Sequence, residues 1–235
     1  MSTPSQRADP SSPRPRVLIT AGPTHEAIDA IRFIGNRSSG RLGCALADEC
    51  ARRGLVTTLL LGPCCSQPSE PAARVEGFTS CADLQLLLRT HAHASDIIIM
   101  AAAVADFRPA AATPGTALTK IRRTAAGLTL QLEPTPDLLA GIAASRVATQ
   151  LLVGFALEPA DGLIESARAK LIRKGVDVIV ANPLETMENA DINATLLWAD
   201  GASISPGAMS KSDFASWLID AAARTWRDAR ATRTP

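Results

Sequence analysis

The chain has 235 residues, with 24 basic and 23 acidic side chains and a formal net charge of +1. This balance leaves no bulk field to attract nucleic acid or an anionic membrane, and 3% aromatic residues with no tyrosine cannot form a nucleic-acid stacking platform. The longest apolar stretch, Ile97 to Ala105, is too short to span a membrane. Five cysteines without a C-x-x-C pair indicate reduced thiols in a cytoplasmic protein rather than a zinc site.

The first fifteen residues differ in composition from the rest of the chain. Residues 1–15 are rich in Ser, Pro and Arg and have no apolar core, which predicts a disordered tail rather than a secretory signal. We expect one domain over residues 16–235.

From Arg16 onward, short apolar runs alternate with segments of helical period. Strands are expected at 16–20, 56–61, 74–78, 96–103, 128–133, 150–156, 176–181 and 194–198. Helices are expected at 40–54, 81–93, 135–144, 160–174 and 210–230. This order, with a strand at 96–103 that is apolar on both faces, predicts a Rossmann-like, doubly wound α/β fold with a mostly parallel sheet.

The remaining segments are expected to be loops, above all 21–39, 107–119 and 183–194. The alternating segment 128–133 is expected at a sheet edge, or paired with Lys120–Arg123 in an extended β-arm that could act as a flap.

The first candidate site is the segment GNRSSGRLG at 35–43, which leads into a helix N-terminus. Free N–H groups and the helix dipole suit a phosphate there, and the Asn36 amide could stabilise an oxyanion or orient an amine. The segment lacks the Gly-Lys-Ser/Thr of a Walker A loop and does not follow the first strand directly, as a dinucleotide fingerprint would. The equally weighted alternative is that Ser38 and Ser39 cap the helix while Asn36 fills a turn.

Two further candidate sites follow the central strand. Small residues at 101–105 leave room for a flat ring against the backbone, and Asp106 could hold Mg²⁺ near phosphates. Their alternative is plain packing and a turn cap. Lys120–Arg123 carries three cations in four residues and suits an anion clamp, although a solvated charge run is the more common explanation.

The fourth candidate site begins where a later strand ends. Phe155 to Glu158 leave that strand, and Lys170 and Lys174 lie one helical turn apart downstream. Core packing for Phe155 and a solvated helix face for the lysines are the alternatives.

Taken together, these segments resemble the phosphopantothenate–cysteine ligase family. The resemblance covers roughly residues 16 to 230 and is carried by ITAGPTHEAIDAIRFIGNRSSGRLG, AAAVADFRP, KIRR, PTPDLLA, VGFALE and ARAKLIRKGVDVIVAN. The GNRSSG and AAVADFRP segments are the specific ones. The implied role is in coenzyme A biosynthesis, and the chain is expected to be a free-standing ligase or an excised domain.

The reaction implied by the resemblance has two halves. The carboxylate of 4′-phosphopantothenate attacks the α-phosphate of a nucleoside triphosphate and releases pyrophosphate. The amine of L-cysteine then attacks the acyl-nucleotide and releases the nucleoside monophosphate. The co-substrate is CTP in the bacterial form and ATP in the animal form; Mg²⁺ is implied, and no flavin is expected in this chain.

The resemblance also implies roles for individual residues. Asn36, which handles the acyl-nucleotide, and Lys120, the flap lysine on the phosphates, are the implied catalytic pair. The implied nucleotide-binding residues are Ser38, Ser39, Gly40, Ala102, Ala103, Asp106, Lys120, Phe155, Lys170 and Lys174. The backbone of Ala102 and Ala103 would read the base, and Asp106 would be the metal ligand. The implied substrate-binding residues are Gly35, Asn36 and Arg37.

The implied partners are a second copy of the chain, forming a homodimer in which subunits exchange the flap, and a separate phosphopantothenoylcysteine decarboxylase. Two departures bear on the nucleotide. KIRR stands where family members often have Lys-Ile-Lys-Lys, and FALEP stands where Phe-Ala-Ala-Glu-Thr is common. CTP remains favoured because AAAVADFRP and KIRR resemble the bacterial form.

Two rival functions are weighed against the ligase. An NAD(P)-binding oxidoreductase would share the order of strands and helices, but it predicts a glycine fingerprint directly after the first strand and a catalytic tyrosine, and the chain has no tyrosine. A non-catalytic nucleotide-binding partner is disfavoured by the presence of Asn36 and Lys120.

Overall fold

A computed structural model describes residues 14–64, 66–71, 73–110, 119–123, 127–186, 189 and 191–232. Most of the predicted tail and of the loop at 107–119 therefore lies outside the described residues. Pro15, which the sequence placed in the tail, is buried, so the packed part of the chain includes it.

The described residues form strands and helices in close alternation. The strands are β1 Val17–Ala21, β2 His25–Ala27, β3 Phe33–Gly35, β4 Thr57–Leu61, β5 Arg74–Gly77, β6 Ile97–Met100, β7 Phe107–Pro109, β8 Leu132–Pro134, β9 Leu151–Glu158, β10 Val178–Pro183, β11 Asp191–Ile192, β12 Thr195–Trp198, β13 Ser203–Ile204 and β14 Met209–Ser210. The α-helices are α1 Arg41–Arg52, α2 Cys81–His91, α3 Leu138–Ser145, α4 Leu163–Lys174 and α5 Lys211–Ala231. None of the described helices combines the length and the apolar composition needed to cross a membrane.

Eight strands form one sheet in the order β13-β12-β10-β9-β6-β1-β4-β5. The strands from β10 to β5 pair in parallel in the order of the Rossmann fold, and β12 and β13 add an antiparallel edge. The predicted Rossmann-like, mostly parallel α/β fold is thus confirmed. Strand order reverses between β1 and β6, which makes the carboxyl ends of these two strands the place where a ligand is expected.

The sheet is covered on both faces, as a doubly wound fold requires. Adjacent residues of β1 serve the two layers: Ile19 packs with α1 and α5, whereas Leu18 packs with α2, α3 and α4. Both side chains are fully buried, and burial of an aliphatic side chain of this size stabilises a fold by roughly 1.5–3 kcal/mol. This is why the strand reads as one continuous apolar run.

Several helix ends follow the predicted signals. Gly54 and Gly175 both adopt a φ of 65° just after α1 and α4, a conformation that glycine accepts without steric cost. Ser210 caps α5 by accepting a hydrogen bond from the Asp213 N–H at 3.1 Å, as expected from its spacing.

The expected loop at 21–39 is wrong in part, because β2 and β3 form an antiparallel hairpin within it. The His25 and Phe33 rings stack across the hairpin with centroids 3.6 Å apart. Each strand has only three residues, too few to show the alternation of apolar and polar side chains that predicts a strand. The hairpin is therefore set by tertiary packing. The expected loops at 107–119 and 183–194 likewise contain the short strands β7 and β11.

The expected pairing of Lys120–Arg123 with residues 128–133 is also wrong. β8 pairs with β7, so that Arg108 faces Glu133, and residues 119–123 form no strand. The expected strand at 128–133 is itself wrong in part, because β8 begins only at Leu132 and residues 128–131 form no strand. An alternating pattern predicts a strand but carries no information about its partner.

Candidate functional site

A cavity of about 710 Å³ opens at the carboxyl ends of β1, β6 and β9. Segments from distant parts of the chain line it, because parallel strands bring their carboxyl ends to one edge of the sheet. The sequence-predicted residues that line it are Asn36, Arg37, Ser38, Ser39, Gly40, Ala102, Ala103, Asp106, Phe155, Lys170 and Lys174.

Asn36 connects the first loop to the loop after β6. Its side-chain Nδ2 donates a hydrogen bond to the Val104 carbonyl oxygen at 2.9 Å, although the two residues are far apart in sequence. Asn36 lines the same cavity as Ala102, Ala103 and Asp106, the residues that flank Val104. The turn-filling alternative therefore does not account for the position of this side chain.

The glycines of the first loop allow α1 to start against the sheet. Gly40 has a φ of 72°, and a Cβ atom at this residue would lie 2.6 Å from the Cys64 Sγ. A Cβ atom at Gly43 would lie 2.2 Å from the Ala21 Cβ, so the first turn of α1 contacts the end of β1 directly. Only glycine permits both approaches.

The N-terminus of α1 has no side-chain cap. The Ser39 Oγ lies 3.5 Å from the Arg41 N–H, at the outer limit of a hydrogen bond. The alternative in which Ser38 and Ser39 cap the helix is therefore not supported. N–H groups of the first turn remain available to an anion in the cavity.

Main-chain N–H groups anchor the loop after β6 to residues at the end of β1. The Ala102 N–H donates to the Thr20 Oγ1 at 3.1 Å, and the Ala103 N–H donates to the Gly22 carbonyl oxygen at 2.9 Å. These two amides are thus already bonded, and a base that binds here would contact other atoms of the loop.

Lys170 and Lys174 are ordered by contacts within the chain. The Lys170 Nζ donates to the Phe155 carbonyl oxygen at 2.7 Å, and burial, reinforced by the neighbouring Lys174 charge, lowers the pKa of Lys170. Lys174 forms an ion pair with Asp137, the N-cap of α3, and only 16% of its side chain is exposed. A solvated helix face, the alternative from the sequence, is therefore wrong for these lysines.

A smaller cavity of about 330 Å³ lies beside the main one. The residues that line both cavities are Ala102, Val104, Asp106, Phe155, Lys170 and Lys174. The end of β6 and the segment that leads into the first turn of α3 bound the rest of the smaller one. The position of the α3 N-terminus beside this cavity was not predicted, since PTPDLLA indicates only where that helix begins.

Positive charge is concentrated in the main cavity. Its cationic residues are Arg37, Arg41, Lys170, Arg173, Lys174 and Lys211, whereas its acidic residues are Asp106 and Glu158. The whole chain is close to neutral, so the cavity is a local anion-attracting region. Arg41, Arg173 and Lys211 were missed from the sequence. Lys211 in particular lies in α5, far along the chain from the other lining residues, and is not part of any motif.

Two sequence-predicted residues, Gly35 and Lys120, lie outside the cavity lining. Gly35 pairs with His25 in the hairpin, and Lys120 is exposed. The chain next to Lys120 is held by an ion pair: the Ile121 N–H donates to the Asp29 Oδ2 at 3.0 Å, and the Arg32 Nη2 donates to the Ile121 carbonyl oxygen at 2.8 Å.

Asp29 is buried in this arrangement, and hydrogen bonds from Arg32 hold the pKa of its carboxyl well below the usual range. Asp29 and Arg32 thus fasten residues 119–123 to the hairpin that precedes Asn36. Both residues were missed, because nothing in the sequence links them to a segment so far away.

The described residues contain no group of three or more His, Cys, Asp or Glu side chains that could hold a metal. The main cavity does contain two carboxylates, Asp106 and Glu158. Mg²⁺ is commonly bound by one or two carboxylates together with substrate phosphates and water. The residues therefore fit a magnesium ion that arrives with a nucleotide, not a preformed protein cage.

The sequence profile of the DNA/pantothenate metabolism flavoprotein C-terminal domain family matches residues 14–225. The chain belongs to this family. The family expected from the sequence motifs is thereby confirmed, and the matched region contains every element that lines the cavity.

Known proteins agree with this assignment. The chain is 38% identical over 218 residues to the coenzyme A biosynthesis bifunctional protein CoaBC of Mycobacterium bovis, covering 88% of the chain and 51% of that protein. It is 45% identical over 170 residues to a cysteine/cysteine sulfinic acid decarboxylase from an unknown prokaryotic organism, covering 72% of the chain and 46% of that protein. The chain thus spans about half the length of these relatives.

A solved structure has the same fold. The crystal structure of the C-terminal domain of a coenzyme A biosynthesis bifunctional protein CoaBC superposes with a TM-score of 0.76 at 30% identity, covering 91% of the chain and 96% of that domain.

Proposed function

We propose that the chain is a phosphopantothenate–cysteine ligase, which joins 4′-phosphopantothenate to L-cysteine through an acyl-nucleotide, with CTP favoured over ATP. The observation that carries the proposal is the 2.9 Å contact between Asn36 and Val104 within a cation-lined cavity at the switch point of the sheet. Family membership and the CoaBC relatives support it.

The first half-reaction brings two anions together. The carboxylate oxygen of phosphopantothenate attacks the α-phosphorus, and the bond to the bridging oxygen of pyrophosphate breaks. The cavity suits this step because its cations exceed its carboxylates. Lys170 and Lys174 are held in place by Phe155 and Asp137, so their side chains lose little conformational entropy when phosphates bind.

Mg²⁺, when bound, would neutralise phosphate charge and stabilise the transferred group. Asp106 is the carboxylate proposed to hold it, with Glu158 as the second carboxylate of the cavity.

The smaller cavity is the proposed binding site of the nucleotide base, beside the phosphates. The smaller cavity shares Ala102 and Asp106 with the main one and ends at the first turn of α3. Because the amides of Ala102 and Ala103 are bonded to Thr20 and Gly22, the base would meet the small side chains and the α3 end instead.

The second half-reaction needs an amine and an acyl carbonyl at the same point. The cysteine nitrogen attacks the acyl carbon, loses a proton, and the nucleoside monophosphate leaves with its phosphate oxygen. The side chain of Asn36 is the group proposed to orient this step. Its contact with Val104 aims the amide and removes rotational freedom before the substrate arrives.

Lys120 is proposed to act on the phosphates from the flap. The Asp29–Arg32 ion pair supports this role because it fastens the adjacent Ile121 to the hairpin. A homodimer with exchanged flaps and cooperation with a phosphopantothenoylcysteine decarboxylase are further parts of the proposal, the latter supported by the bifunctional relatives.

The test is a substrate-omission assay. Purified protein, phosphopantothenate, L-cysteine and Mg²⁺ receive CTP or ATP separately, and pyrophosphate, acyl-nucleotide and coupled product are measured. We expect pyrophosphate release that requires phosphopantothenate, acyl-nucleotide accumulation without cysteine, and a higher kcat/KM with CTP. Pyrophosphate release independent of phosphopantothenate, or binding of NAD(P)H without any ligation, would overturn the proposal.

A further inference from the structure

Two helices begin at the same side of the main cavity, and each begins with a cation. Arg41 is the first residue of α1, and Lys211 is the first residue of α5. Both line the cavity. The two helices pack in one layer on the sheet, which brings their N-termini together.

A short two-stranded antiparallel ribbon, formed by β11 and β14, positions Lys211 at the cavity. β14 ends at Ser210 and pairs with β11, whose Ile192 is buried and also lines the cavity. The Lys211 Nζ then donates to the Asn189 carbonyl oxygen at 2.6 Å. The side chain is therefore held in one place.

This placement is electrostatically unfavourable for the protein alone. The N-terminus of a helix carries a partial positive charge, so a cation in its first turn is disfavoured. The first turn of α1 has no acidic residue to offset this, whereas that of α5 contains Asp213. Neither Arg41 nor Lys211 forms an ion pair with any carboxylate in the part of the chain that the structure describes. Burial and the charge of Arg41 lower the pKa of Lys211 accordingly.

Lys174, another cation of the cavity, lies in a more favourable electrostatic environment. Lys174 is paired with Asp137 and lies at the last turn of α4, where the helix dipole favours positive charge. A multiply charged anion between α1 and α5 would relieve the repulsion between Arg41 and Lys211. It would also meet the uncapped N–H groups of α1.

We propose that Arg41 and Lys211 bind the β- and γ-phosphates of the triphosphate, and thus the departing pyrophosphate, in the proposed ligase reaction. Two cations and the uncapped N-terminus of α1 match a pyrophosphate better than the single phosphate of phosphopantothenate, because the pyrophosphate carries more charge over a longer span. Lys170 and Lys174 are then left for the α-phosphate side of the cavity.

The experiment titrates inorganic pyrophosphate, and separately CMP, into wild-type protein, Lys211→Gln, Lys211→Arg and Arg41→Gln by calorimetry. Arg227→Gln is the matched control, since it removes an exposed cation from the same helix outside the cavity. We expect Lys211→Gln and Arg41→Gln to weaken pyrophosphate binding by about tenfold or more. Lys211→Arg should retain most of the affinity, and CMP binding should not change.

Kinetics give the second readout. The KM for the triphosphate should rise in Lys211→Gln, while the KM for phosphopantothenate and the rate of the cysteine step from added acyl-nucleotide stay near wild type. Unchanged pyrophosphate affinity, no pyrophosphate binding to wild type, or an effect confined to the KM for phosphopantothenate would overturn the inference. A wild type that binds pyrophosphate but never ligates refutes the proposed function alone.

Discussion

The side chain of Asn36 donates a hydrogen bond to the main-chain carbonyl oxygen of Val104, 2.9 Å away. The bond joins the loop before α1 to the loop after β6, the two loops that leave the switch point of the sheet. It is formed by the Nδ2 atom alone, so substitutions at Asn36 can separate the presence of a donor from the presence of charge.

Replacing Asn36 with Asp removes the donor and sets a carboxylate against the Val104 carbonyl oxygen. We expect triphosphate binding to persist, coupled product to fall by roughly a hundredfold, and acyl-nucleotide to accumulate. Chromatography of quenched reactions measures both species. Asn36→Ala, which removes the donor without adding charge, should show the same block; wild-type turnover in Asn36→Asp would refute the assigned role.

Asp29→Asn should release the segment next to Lys120. Its side chain accepts hydrogen bonds from the Arg32 guanidinium and the Ile121 N–H, and the neutral amide cannot form the ion pair. We expect trypsin to cut after Lys120, Arg122 or Arg123 roughly tenfold faster, because local opening becomes easier, and the KM for the triphosphate to rise. Asp228→Asn, an exposed change on α5, is the control. Equal digestion of both variants would show that the ion pair does not hold this segment.

Gly40→Ala should destabilise the chain and impair nucleotide binding. A left-handed backbone costs a non-glycine residue about 1–2 kcal/mol, and the added Cβ would also lie 2.6 Å from the Cys64 Sγ. Urea unfolding and the KM for the triphosphate measure the two effects.

Gly207→Ala is the matched control for Gly40→Ala. Gly207 has a φ of 86° and no atom within 4 Å of an added Cβ, so this variant isolates the backbone penalty. The double variant Gly40→Ala/Cys64→Ala should recover the part caused by the contact. Equal unfolding free energies for Gly40→Ala and Gly207→Ala would mean that the Cys64 contact adds nothing.

The lowered pKa of Lys170 predicts an alkaline limb in nucleotide binding. Because burial favours the neutral amine, Lys170 loses its charge at a lower pH than an exposed lysine does. The KM for the triphosphate should therefore rise with pH below the ordinary lysine range. The same shift makes the folded state bind fewer protons than the unfolded state, so the free energy of unfolding should increase over that pH range.

Lys170→Arg tests this assignment, because arginine stays charged throughout. Its alkaline limb should move to higher pH, as measured by initial rates between about pH 7 and pH 10. A limb that is identical in wild type and Lys170→Arg would assign it to another group.

The local patterns of the chain were sufficient for its main elements. Apolar runs such as the one in β6 and helical spacing such as that of α1 depend on neighbouring residues, since burial on a face repeats with a short period. Gly54, Gly175 and Ser210 act within one turn of a helix, and they ended or began helices as expected. The motifs GNRSSG and AAVADFRP likewise identified the family from contiguous residues.

Relations between distant segments came only from the tertiary structure. The three-residue strands β2 and β3, the pairing of β8 with β7 and the fastening of Ile121 by Asp29 and Arg32 are all set by partners far away in sequence. The same holds for the cavity. Arg41 and Lys211 come close together because α1 and α5 pack in one layer. That packing is stabilised by the buried apolar side chains of the two helices, not by the two cations themselves. A sequence records which residues are apolar or charged, but which of them become neighbours depends on how the whole sheet and its two helical layers pack together.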